Sequence, residues 1–82
     1  MKPEFILKLK EQFRAEQMAY SGYEELKEMA DDAYLEDALD EIMYDEFLHA
    51  KFLRSYLISM DAYNPKQHVE LEKAYMHMLG ND

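Results

Sequence analysis

The chain has 82 residues, no cysteine and a formal charge of -9. That is enough for one domain with a thin core, and it excludes disulfides and thiolate metal sites. The acidic balance argues against nucleic acid and anionic membranes as partners and favours attraction of cations.

Two prolines, two glycines and an abundance of Ala, Leu, Met, Glu and Lys predict an all-α chain. No apolar run approaches the ~20 residues of a membrane span, and Met1-Lys2-Pro3-Glu4 is no signal peptide. A soluble, cytoplasmic protein is the expectation. Pro3 suits a first helical turn, with Glu4 beside the positive end of the dipole. The first helix is predicted over about 3–30. Its stripe runs Phe5, Leu9, Phe13, Glu16, Tyr20, Tyr23, Leu26 and Ala30. Glu16 is the one carboxylate in it. Ser21-Gly22 marks a weak spot, a bend or a close approach by another helix.

Asp31-Asp32 breaks the pattern, and Asp32 is placed to cap a second helix over about 33–61. Its seam runs Leu35, Leu39, Ile42, Glu46, His49, Leu53, Tyr56 and Met60, in steps of four and three. Only Glu46 and His49 interrupt the apolar character. A carboxylate and an imidazole on such a stripe are costly unless compensated. A metal ion would compensate them. With no thiolate available, carboxylate and imidazole ligands suit iron or manganese.

Asn64-Pro65 closes the second helix and is predicted to open a third, over about 65–79, with Gly80 as its stop. His68 and Glu72 have the i,i+4 spacing of a ligand pair, with His77 on the same helix, but a solvated surface is the simpler reading. The acidic residues Glu36, Asp37, Asp40, Glu41 and Asp45 read as a wet helix face. Residues 1–82 thus form one helical-hairpin domain with a short helical tail.

If the two long helices fold back at residue 32, Glu16, Glu46 and His49 all lie roughly 21 to 26 Å from the turn, at ~1.5 Å per residue. The exceptions to the apolar pattern converge on one level. One Glu plus one Glu-x-x-His is half the ligand set of the di-iron and di-manganese carboxylate bundles. A two-fold homodimer would complete it as a four-helix bundle and bury the apolar stripe.

At these residues the sequence resembles the ferritin-like superfamily. Glu16-Gln-Met-Ala19 with Tyr23 looks like the first-helix motif of rubrerythrin-type proteins, and Glu46-Phe-Leu-His49-Ala50 like the second. The thirty-residue separation of Glu16 and Glu46 is similar to that of the encapsulated ferritins. The resemblance spans roughly residues 11–79. It implies a ferroxidase that oxidises Fe(II) with O₂ or peroxide at a di-iron centre between two subunits. Glu16, Glu46 and His49 would be the metal ligands and the catalytic residues, with two ions per dimer interface and manganese as the other candidate. Tyr20 and Tyr23 would stand beside the ligands. It also implies a ring of dimers, such as a decamer, acting as cargo of an encapsulin shell and serving iron detoxification and storage. Ala15, Met18 and Gly22 depart from the family, which carries two glutamates and a tryptophan at those positions. The competing readings are a rubrerythrin-like peroxide reductase and a non-enzymatic helical assembly module.

Overall fold

The computed structural model describes residues 2–81. The chain forms three helices, α1 (Pro3–Met29), α2 (Ala33–Ser59) and α3 (Val69–Met78), with no strand among the described residues. Pro3 opens α1 with Glu4 in its first turn. The Asp32 side chain accepts the Leu35 N–H at 2.7 Å and caps α2, which satisfies one of the donors that a helix start leaves unpaired. Residues 30–32 therefore make a tight connection. The long helices run antiparallel, as Lys27 pairs with Asp40 at 2.7 Å near the turn and His49 meets Glu16 midway along.

α3 starts four residues later than the sequence pattern predicts. Asn64 Oδ1 accepts the Lys66 N–H, which closes a single turn. The His68 ring then stacks on Tyr63 with centroids 4.9 Å apart, and His68 itself has φ -95 and ψ 60, outside helical space. Only beyond it does the chain wind regularly. Gly80 ends α3 as expected. At φ +82 it lets its own N–H reach His77 O and the Asn81 N–H reach Met76 O, the two bonds of a Schellman stop.

α3 covers one face of the hairpin. Phe13, Ala50, Leu57, Tyr63, Tyr75 and Met78 form the buried cluster, and Phe13, Ala50 and Leu57 are fully enclosed. Phe13 meets Tyr63 edge-on at 5.4 Å and Tyr75 at 6.2 Å. Gln17, buried on the same face, donates its amide to Leu71 O at 2.9 Å, so its burial costs no unpaired donor.

Between α2 and α3 the Arg54 guanidinium donates from Nε and Nη2 to Glu72 at 2.8 and 2.7 Å and lies over the Tyr75 ring. The Tyr63 hydroxyl donates to the same carboxylate at 3.0 Å. Glu72 is held below the usual carboxylate range, chiefly by Arg54. This corrects the expectation of a solvated surface around Glu72, and His68 and Glu72 do not act as a pair. Arg54→Ala should destabilise the fold by about 3 kcal/mol, because Glu72 would keep a half-buried charge with no cation opposite it. Urea melts of the two proteins measure this, and a loss under about 1 kcal/mol would assign the pair to the weak class of surface bridges.

The molecule measures 46 × 23 × 15 Å. One short third helix is too little material to cover both faces of the hairpin. α3 takes one face. The other stays open, and it carries part of the predicted seam.

Candidate metal centre

On α2 the buried positions are Leu39, Met43, Ala50 and Leu57, and only Leu39 belongs to the predicted seam. Leu53 and Met60 pack against the buried cluster from its margin, whereas four other seam residues are turned toward the edge and the open face. Leu35 is 42%, Ile42 37% and Tyr56 39% exposed, and the His49 side chain is 58% exposed. These four residues recur every seven positions, close to two helical turns, and so share one side of α2. On α1, Phe5 and Leu26 of the predicted stripe are likewise exposed, while Phe13 points into the core. Periodicity located an apolar stripe on each helix. It could not say that α3 would claim the neighbouring positions and rotate the stripe outward.

Glu16, Glu46 and His49 come together on this open face. Each offers a ligand atom, and the three atoms all lie within 4.8 Å of one another. His49 Nδ1 stands 3.4 Å from Glu16 Oε2. Gln12, one turn before Glu16, donates its Nε2–H to Glu16 Oε1 at 3.3 Å. Among the described residues this is the one group of three or more His, Asp or Glu side chains close enough to hold a metal ion.

The two carboxylates are too close to ionise independently. The hydrogen bond to Glu16, followed by burial and the Glu16 charge, pushes the Glu46 carboxyl up to about 7. Burial pushes Glu16 up as well, but hydrogen bonds from Glu46, Gln12 and His49 outweigh it and leave Glu16 below its ordinary value. A carboxyl pushed up to about 7 keeps its proton below that value and shares it with Glu16, with Glu46 as the donor. A divalent cation placed among the three ligands would replace that proton and neutralise both charges. The donor set is two carboxylate oxygens and one imidazole nitrogen, which could hold a divalent metal ion.

The tyrosines divide. Tyr20 packs against the buried cluster and meets the His77 ring edge-on at 6.4 Å, which directs it toward α3. Burial and then Glu24 raise its hydroxyl above the ordinary value. Tyr23 is half-buried on α1. His77 Nε2 lies 2.9 Å from both Glu24 oxygens, an α3-to-α1 tie that spacing along the chain gave no means to foresee. Asp37, Glu41 and Asp45 are exposed, as is Asp40 in its pair with Lys27, in keeping with a wet helix face. A Cβ added at Gly22 would meet nothing within 4 Å, so no other helix of the chain approaches there.

Gln12 was missed because a neutral amide on an amphipathic helix carries no signal of its own. Its i,i+4 spacing to a seam glutamate was the available clue. No family model, curated protein or solved structure matches this chain. Among the described residues, no helix is long and apolar enough to cross a membrane.

Proposed function

We propose that the protein is a ferroxidase whose centre is completed by a homodimer. The observation that carries this reading is the convergence of Glu16, Glu46 and His49, within 4.8 Å of one another, on a face that the chain leaves open. Two copies joined at that face would supply four carboxylates and two imidazoles, the ligand set of the di-iron carboxylate bundles. The same contact would cover Leu35, Ile42 and Tyr56, whose exposure costs free energy in a separate chain. Fold stability and ligand count both favour that assembly.

Fe(II) is the substrate in this reading. Two Fe(II) ions bind among the ligands and displace the protons held by the carboxylate pairs. Each ion gives one electron to O₂, which takes up two protons and leaves as hydrogen peroxide. With hydrogen peroxide as oxidant, the same two electrons and two protons yield two waters. The carboxylates favour the products because Fe(III) is the harder ion and prefers oxygen ligands. The protein's part is to hold two ions side by side in a shell of fixed charges, so that little reorganisation accompanies the electron transfer. The family resemblance extends the proposal to a ring of such dimers handing Fe(III) to an encapsulin shell.

Titration with Fe(II) tests the reading, with oxygen uptake and particle mass followed together. The expected result is two ions per pair of chains and oxygen consumption that tracks the dimer or larger even assemblies. A protein that binds neither iron nor manganese at micromolar levels would overturn it.

A further inference from the structure

We infer that Gln12 is a positioning residue that assigns the two oxygens of Glu16 to different partners; this rests on reading Glu16, Glu46 and His49 as a metal centre. The geometry is specific to each oxygen. Gln12 donates to Oε1 at 3.3 Å, whereas Oε2 faces His49 Nδ1 at 3.4 Å. One oxygen is tied back along α1, and the other is presented to the cluster.

The local structure favours this pairing once α1 forms. Residues 12 and 16 are one turn apart on the same side of the helix, and a glutamine N-terminal to a carboxylate at i,i+4 meets it across that turn. α1 is continuous from Pro3 to Met29, so both side chains stand on a rigid element. Gln12 itself is exposed, and no other side-chain hydrogen bond holds it among the described residues.

The chemistry of the amide suits the task. A lysine or arginine at position 12 would also donate, but it would bring a positive charge against an arriving cation. A glutamate would compete for that cation. A neutral amide restrains the carboxylate without doing either. A free glutamate side chain also has to give up rotamer freedom when it ligates, and a carboxylate already held at Oε1 has given up part of it beforehand. Glu16 is thereby steered to single-oxygen ligation through Oε2.

The test is titration with Co(II), followed by visible absorption, on the full chain and on Gln12→Met, which keeps length and helix propensity but cannot donate. Binding should weaken by about tenfold, the lower end of what removing an outer partner of a metal ligand costs. The visible bands should also weaken, because a released Glu16 can ligate through both oxygens and raise the coordination number. Metal-free Gln12→Met should melt at the wild-type temperature, since the residue is exposed. Unchanged affinity and spectrum in Gln12→Met overturn the assignment while leaving the metal centre intact. A lowered melting temperature without metal also overturns it, because the role would then be structural. Failure of the wild-type chain to bind Co(II) overturns both readings together.

Discussion

Glu46→Ala should abolish stoichiometric metal binding, from two ions per pair of chains to none, while the helical hairpin stays folded. Glu46 sits between the other two ligands in function. It shares a proton with Glu16 and stands three residues before His49, so its loss leaves each chain with one carboxylate and one imidazole. Two ligands per chain cannot hold two ions against water, and Fe(II)-dependent oxygen uptake should fall to the rate of free iron. The side chain is not part of the buried cluster, so its truncation removes little packing. Without metal, the variant should be at least as stable as wild type near neutral pH, because a strained carboxylate pair has been relieved. Metal analysis of purified protein, together with melting curves of the metal-free forms, checks both halves. Retention of two ions by Glu46→Ala would remove this residue from the metal ligands.

The second large effect is on pH. Below about 7 the site holds its shared proton, and an incoming cation must expel it. The shared carboxyl proton alone predicts that affinity rises about tenfold per pH unit below that value, with this share levelling off above it. Between about pH 5 and 7 the gain should approach 100-fold on the same scale. The stability of the metal-free protein runs the opposite way. Glu46 has a folded-state pKa raised from 4.5 to about 7, so in that window the native state binds more protons than the unfolded one. Its contribution is fully present below the unfolded value and is lost as pH rises through the folded one. Glu16, shifted downward, contributes in the opposite sense, and only as pH falls through its own lowered value. The metal-free protein should therefore melt lower near pH 8 than near pH 5.5, and added metal should reverse the order. Melting curves with and without Mn(II) across that range measure it. A metal affinity independent of pH would show that no carboxyl proton is displaced.

Much of this could be read from residue order. Pro3, Asp32 and Gly80 marked helix ends because each acts within its own turn, through a fixed φ, a cap on Leu35 N–H and a left-handed backbone. Glu16, Glu46 and His49 were legible because they break an otherwise apolar period, and because an antiparallel hairpin is simple enough for residue counting to align its levels. The start of α3 was misplaced, since Asn64 offers the same capping oxygen to a one-turn loop as to a helix. What decided between them was the His68 ring lying on Tyr63.

The sequence by itself determined the two long helices, their antiparallel pairing and the three residues of the candidate centre, because those follow from local sterics, periodicity and the fixed rise of a helix. Only the tertiary structure decided which face α3 would cover. That choice rests on partners remote in the chain, such as Gln17 with Leu71 and Arg54 with Glu72, whose burial depends on contacts no periodicity encodes. With Phe13 and Ala50 turned inward, His49 and its apolar neighbours were left in the open, and the Glu46 carboxyl was set against Glu16 to share a proton.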